Sequence, residues 1–266
     1  MTRSVTAIAC LALALTLAGC GLFSDKMEKA KDWSAAEYYK HAKEEFDNHN
    51  WEAAAKLYEA LESKFPYGRF AQQAQLEIAY CYYKQGESAQ SLSAIDKFVK
   101  LHPNHASLDY ALYLKALVNF KEDLGPFTRF MAQDLADRDP KAARESFEGF
   151  KDLVTRFPES RYAPDSRQRM AYLVEALSRH EIHVASYYLS RGAYLAAANR
   201  AQDAIVRFPN STLHKQALEI MVESYDRMNM PELRDDARKV LAKNYPGDRM
   251  AQDGQNRTKS WWKFWQ

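Results

Sequence analysis

Between Tyr187 and Pro209 the chain reads YYLSRGAYLAAANRAQDAIVRFP, which closes one apolar pattern and then opens and closes a second. Tyr187, Tyr188 and Leu189 end the first, and Arg191-Gly192 breaks it. The second runs through Leu195, Ala197, Ala198, Ala201, Ala204, Ile205 and Phe208 at spacings of three and four, which predicts a helix with small and apolar groups on one face. Pro209 stops it, because proline has no N–H and pushes the residue before it out of the helical region.

The same stop recurs as Lys64-Phe65-Pro66, Leu101-His102-Pro103, Arg156-Phe157-Pro158, Arg207-Phe208-Pro209 and Asn244-Tyr245-Pro246. The prolines lie 37, 55, 51 and 37 residues apart, and the nearest known period is the tetratricopeptide (TPR) unit of about 34 residues. Counting back from them finds Ala54, Tyr58 and Leu61 in the first unit and Ala185, Tyr188, Ala197, Ala201 and Ala204 in the fourth, small and bulky residues where stacked helix pairs need them. An irregular helical bundle is the alternative reading.

Further elements follow in order. Ser34 and Glu37 form a capping box ahead of a helix from Ala35 to Asn48, and Trp51 to Phe65 is its return. Phe70 to Lys84 and Ser88 to Leu101 make the second pair around Gln85-Gly86. The first of these carries Leu76, Ile78, Ala79, Tyr80, Tyr82 and Tyr83 around much of its circumference, the pattern of a helix buried on two sides.

Leu108 to Phe120 is helical, whereas 121–139 holds Gly125-Pro126 and mixed charge and reads as a surface loop with room for a short helix around Phe127 to Leu135. Such an insertion serves as a binding loop or is an elaboration without a role. Pro140 opens the next helix, a long one spans Pro164 to Ser190, and a fifth unit runs from Thr212 to Tyr245. No period-two run bounded by hairpin turns stands out. The class is all-α, a TPR-like superhelical solenoid of about five helix-turn-helix units, with N-terminal units in 33–139 and C-terminal units in 140–246.

Residues 1–19 carry Arg3, an apolar core from Ala7 to Ala18 and then Leu17-Ala18-Gly19-Cys20. The core is too short for an ordinary transmembrane helix and reads as an export signal, with an uncleaved signal anchor as the alternative. Leu-Ala-Gly-Cys resembles the bacterial lipobox, which implies lipidation of Cys20 and a membrane anchor; Gly21, where an inner-membrane retention signal has Asp, points to the outer membrane. Residues 20–32 would then be a tether, and at about 3.3 to 3.6 Å per extended residue Gly21 to Asp32 spans roughly 40 Å. The tail 247–266 ends SWWKFWQ; Trp261, Trp262, Phe264 and Trp265 beside Lys259 and Lys263 suit a membrane interface or a partner's groove, or form a free end of little consequence.

Charge changes the picture little. Only Arg3 of the 37 basic residues precedes Cys20, against 35 acidic ones, a balance that argues against broad nucleic-acid binding. Cys10 leaves with the signal and Cys20 would be consumed, which leaves Cys81 on an apolar helix and no internal disulfide.

His180-Glu181-Ile182-His183 invites a metal reading, but zinc proteases need histidines four apart on one helix face; these are three apart and read as solvated polar residues. No phosphate loop, dinucleotide fingerprint or Gly-x-Ser-x-Gly elbow is present, and Asp235 and Asp236 are adjacent and point apart. The expectation is a binding protein, with no enzyme activity, metal or cofactor. Its inner helices are rich in tyrosine at Tyr38, Tyr39, Tyr80, Tyr82, Tyr83, Tyr110 and Tyr113, which suits a groove for aromatic peptide ends or packing between repeats.

The lipobox, the proline-ended units and several strings together resemble the BamD family of outer-membrane lipoproteins. The strings are Phe65-Pro66-Tyr67-Gly68, Leu101-His102-Pro103, Asp109-Tyr110-Ala111-Leu112-Tyr113, Asp137-Arg138-Asp139-Pro140, Tyr187-Tyr188 and Arg191-Gly192-Ala193-Tyr194 with Asn199-Arg200. Lys115-Ala116 departs from the family's Arg-Gly, and the aromatic tail lies outside the likeness. The resemblance implies a scaffold at the periplasmic face of the outer membrane. Its partners would be the POTRA domains of the barrel subunit BamA, the smaller lipoproteins of that complex and the C-terminal targeting segment of unfolded outer-membrane proteins. Substrate contact is then expected at Tyr38, Tyr39, Tyr80, Tyr83, Tyr110 and Tyr113, with Arg69 or Lys84 near a peptide carboxylate. BamA contact is expected around Arg191, Tyr194, Arg200 and Asp203. A peptidoglycan-associated or DNA-uptake lipoprotein is the alternative function.

Overall fold

The structure, a computed structural model, describes residues 32–124 and 140–247 together with Met250, and of 121–124 the backbone alone. Cys20, the 125–139 segment and the aromatic tail lie outside the described residues.

Ten helices follow one another with no strand among the described residues: α1 Ala35–Asp47, α2 Trp51–Lys64, α3 Arg69–Gln85, α4 Ser88–Leu101, α5 Leu108–Leu124, α6 Lys141–Arg156, α7 Ala163–Ser190, α8 Tyr194–Arg207, α9 His214–Arg227 and α10 Pro231–Asn244. Consecutive helices pack in pairs, as in a TPR-like solenoid. The capping box forms: the Ser34 hydroxyl accepts from the Glu37 N–H at 3.3 Å, and the Glu37 carboxylate accepts from the Ser34 N–H at 2.7 Å.

Five of the helices end alike. Phe65, His102, Phe157, Phe208 and Tyr245 each have φ between −125° and −135° and ψ between 58° and 70°. Each donates its N–H to the carbonyl four residues back, on Leu61, Phe98, Leu153, Ala204 and Leu241. The following proline ends each helix there, and the accepting residue is a buried core residue in every case.

The turns within pairs repeat as well. His49, Gly86, Gly192 and Asn229 have φ of 62°, 84°, 78° and 58° and stand two residues before α2, α4, α8 and α10. In each turn the next N–H reaches back five residues, from Asn50 to Glu45, Glu87 to Tyr82, Ala193 to Tyr188 and Met230 to Tyr225. This is the left-handed helix stop that glycine accepts without strain.

One expectation changes: helix α5 continues past Phe120 to Leu124, shortening the insertion. The chain divides into two compact units between Val118 and Asn119, and within the second Phe120 packs with Phe150 and Tyr172 of α6 and α7 at ring distances of 6.2 and 5.8 Å. Unit 1 is thus 32–118 and unit 2 is 119–247 among the described residues.

Unit 1 has an aromatic core, with Tyr58, Leu57 and Leu61 fully buried and Tyr39, Phe46, Trp51 and Phe70 packed around them. Unit 2 packs α7, α8 and α9 over Ala185, Ala197, Ala201, Ala204 and Ala217, whose small side chains let the helices approach closely.

Candidate functional site

The residues expected to receive substrate lie in unit 1 and divide by depth. Tyr38 is 5% exposed; it meets Trp33 at 5.4 Å and Phe65 at 6.3 Å and supports the surface from beneath instead of lining it. Tyr39 is half-buried between Tyr58 and Phe70. Tyr80 and Tyr83, 6.1 Å apart, share a half-buried cluster with Tyr110 over Leu76, Ala79 and Phe98. Tyr113 is half-buried on α5.

Tyr80 also meets Phe46 at 5.4 Å and Trp51 at 5.8 Å, and Trp51 meets Phe46 edge-on at 5.1 Å. Neither Phe46 nor Trp51 stood out in the sequence as a binding residue. The turn at His49 brings both beside α3, and the alternation of large residues in FDNHNW was the only available sign.

Lys84 lies over this surface, its Nζ 5.4 Å from the Trp51 ring and 6.0 Å from Tyr80, with no carboxylate among the described residues within ion-pair distance. Arg69 lies over Phe70 at 4.9 Å. A cation with aromatic walls and no partner carboxylate can accept an anionic group whose apolar neighbour stacks on the rings. Burial raises the pKa of Glu77, on the same side of α3, more than the Gln73 hydrogen bond and Lys43 lower it. Burial likewise pushes the Cys81 thiol up to about 12, which makes it an unreactive core residue.

In unit 2 the residues expected to meet a partner do not form one surface. At about 100° per residue, Leu195, Asn199, Asp203 and Val206 occupy one side of α8, Tyr194 lies on the packed side against the alanine cluster, and Arg200 turns toward α7. Arg200 donates to the Glu181 carboxylate at 2.8 Å, and Arg144 and Arg207 reach the same carboxylate at 3.3 and 3.4 Å. Glu181 is fully buried, so the reading of that residue as solvated is corrected, whereas His183 is exposed as expected.

The three guanidiniums are 41–44% exposed at their side chains. The hub therefore faces solvent as a positively charged patch held rigid from below. The Glu181 hydrogen bond, outweighing burial, raises the Arg200 pKa.

A cleft of about 540 Å³ opens beside the hub's helix, lined by Gly192, Tyr194, Leu195, Asn199 and Met228. Leu195 was expected on the packed face, yet it is 59% exposed, because the buried stripe of α8 begins at Ala197. Val206 is 69% exposed. Arg191 lies over Tyr187 at 5.3 Å, and both are exposed. Asp203 is exposed on α8.

Among the described residues no group of three His, Cys, Asp or Glu converges as a metal site would, and no helix is long and apolar enough to cross a membrane.

Comparison with known proteins assigns this architecture. Residues 31–241 match the profile of the YfiO family, described as an outer membrane lipoprotein. The chain belongs to the BamD (YfiO) family. A relative in Neisseria meningitidis serogroup B, outer membrane protein assembly factor BamD, is 44% identical across 96% of this chain and 97% of its own length. BamD proteins of Vibrio cholerae and Haemophilus influenzae are 32% and 30% identical over 88% and 91% of this chain, covering 95% and 91% of their own lengths. The aromatic surface of unit 1 and the arginine hub of unit 2 both fall inside the matched BamD region.

Proposed function

We propose that this protein is a non-enzymatic assembly factor for outer-membrane proteins, anchored at the periplasmic face through a lipid on Cys20. Unit 1 receives the C-terminal targeting segment of unfolded outer-membrane proteins, and unit 2 docks on the POTRA domains of BamA, alongside the smaller lipoproteins of that complex. The family and the names of its relatives support the general role. The observation that carries the finer reading is Lys84 lying over Trp51 and Tyr80, unpaired among the described residues.

An aromatic residue at the end of an extended segment would stack on those rings, and a carboxylate near it would meet the ammonium group. Rings are rigid, so they lose little conformational entropy when they bind, and the exposed ammonium group over them discriminates by charge. In unit 2 the exposed Leu195 and Val206 supply apolar contact beside Asp203, with the arginines fixed nearby. An apolar centre with charges at its edge is the ordinary anatomy of a protein interface.

Photocrosslinking in cells from Tyr83 and from Asp203 tests both halves. Unfolded porins are expected at Tyr83 and BamA at Asp203. Lys84→Glu should remove the porin adduct at least tenfold while changing stability by less than about 0.5 kcal/mol, as an exposed substitution does. Porin capture unchanged by Lys84→Glu would overturn the substrate assignment. Cell-wall sedimentation with no porin adduct would favour the peptidoglycan reading. Arg200 is a poor probe position, since replacing it also disturbs Glu181.

A further inference from the structure

Helix α3 has a second working side. Taking 100° per residue, Gln73, Glu77, Tyr80 and Lys84 share one side, and Gln75, Ile78 and Tyr82 lie almost opposite. On that opposite side α2, α3 and α4 enclose a cleft of about 470 Å³. Its apolar lining comes from Ile78, Ala89 and Ala94. Two carboxylates, Glu59 and Glu62, overlook it from α2 at a spacing of three, which places them on one helix face about 5–6 Å apart at their Cβ atoms.

Both carboxylates are held by one oxygen. Tyr82 donates its hydroxyl to Glu59 Oε1, and that bond, with burial second, pushes the tyrosine's own ionisation up to about 12, so it remains a donor. Glu62 Oε1 accepts from Gln75 Nε2 at 2.8 Å and from Lys97 Nζ at 2.6 Å. Gln75, 6% exposed, is fixed in turn by the His102 ring at 3.0 Å. Oε2 of each carboxylate makes no hydrogen bond or ion pair among the described residues. Among the described residues Lys97 is the one cation lining the cleft, against Glu59 and Glu62, so the lining carries a net negative charge.

Two positioned acceptor oxygens above a shallow apolar floor match one side chain in particular. A guanidinium carries its donors in a planar fork that can serve two carboxylates, and its three-methylene stem covers apolar surface. We propose that this cleft is a docking site for an arginine side chain presented by an extended segment of a partner protein. Because it faces away from Lys84, it can be occupied while the aromatic surface is filled. The site does not depend on the substrate assignment above.

The test uses the full chain in detergent micelles and the pentapeptide Ala-Ala-Arg-Ala-Ala with a photoreactive diazirine on its fourth residue, with crosslinks mapped by mass spectrometry. Labelling is expected on the segments around Glu59–Glu62 and Ala89–Lys97, falling at least tenfold when citrulline replaces arginine and falling clearly with lysine. Glu59→Gln should reduce it about as much as citrulline does. Ser93→Trp should block it by bulk, since Ser93 lines the cleft and is exposed, and circular dichroism would verify that both variants remain helical. Equal labelling by the citrulline peptide, labelling indifferent to both variants, or no labelling at millimolar peptide would each overturn the proposal.

Discussion

Units 1 and 2 use the same helix-pair backbone and hold their candidate sites in opposite ways. In unit 1 the candidate surface consists of rings, Phe46, Trp51, Tyr80 and Tyr83, with Lys84 lying over Trp51 and Tyr80 and no counter-ion beside it among the described residues. In unit 2 the core is lined with alanine and the charged groups are fully committed, three arginines converging on one buried glutamate. On the proposed reading, a cation on aromatic walls receives a ligand, whereas a satisfied hub fixes the shape of the surface beside it. The repeat supplies the frame, and a handful of substitutions on its faces decide which of these a unit becomes.

The contrast can be broken most forcefully at Glu181. Replacing it with alanine removes the carboxylate that three guanidiniums share, and loss of one partner from a buried ionic group costs about 3 kcal/mol, near the lower end of the usual range because the arginines are partly solvated. Urea denaturation should show unit 2 unfolding well before unit 1. A midpoint unchanged from wild type would mean that the hub contributes nothing to folding.

A smaller effect should arise at the left-handed turns, and with opposite signs. Gly86→Ala in unit 1 and Gly192→Ala in unit 2 each force a Cβ into a conformation that costs about 1 kcal/mol, although space itself is open at Gly86. His49→Gly relieves that strain and should stabilise unit 1 by several tenths of a kcal/mol, minus the lost ring contact with Trp51 at 5.1 Å. Thermal melts of the three variants would show whether the turns are equivalent.

The subtlest distinction is in pH dependence. Burial raises the Glu77 pKa in unit 1, so its contribution is fully present below the unfolded carboxylate value and is lost as pH rises through the higher folded one. Burial also acts on Glu175 in unit 2, but bonds from Thr212 and Ser211, with Arg179 nearby, outweigh it and leave the pKa lowered. That contribution is present above the unfolded value and is lost as pH falls through the depressed folded one. At pH 7, Glu77→Gln should therefore stabilise and Glu175→Gln destabilise, and both differences should shrink on acidification through the carboxylate range. Parallel pH profiles for the two variants would contradict this assignment.

Much of the fold was legible because its signals are local. The five proline-ended helices, the Ser34 capping box and the Gly86 and Gly192 turns each depend on residues within one helical turn of each other, and all appear in place. His49 and Asn229 adopt the same turn without glycine, so the backbone repeat is more regular than its sequence. The hub was hidden for the opposite reason: Arg200, Arg207 and Arg144 lie 19, 26 and 37 residues from Glu181 along the chain.

One sign of it was nevertheless present. Leu173, Leu177, Glu181, Ala185 and Leu189 recur every four residues on α7, and all are buried, so the glutamate interrupts an otherwise apolar ladder. Reading HEIH as a possible metal motif drew attention to the histidines and away from that ladder. In unit 1 the tyrosines were visible in sequence, but the division between Tyr38 beneath and Tyr80 at the surface depends on the angle at which α1 meets α3.

The arginine hub also constrains how this sequence can drift over generations. Positions 144, 181, 200 and 207 behave as a single inherited character. An arginine lost from the set still leaves the glutamate two partners, so such a change is survivable; a glutamate lost first strands three cations together. Descendants should therefore shed arginines before they shed Glu181, and a lineage that has replaced the glutamate should have an apolar or neutral residue at most of the other three positions.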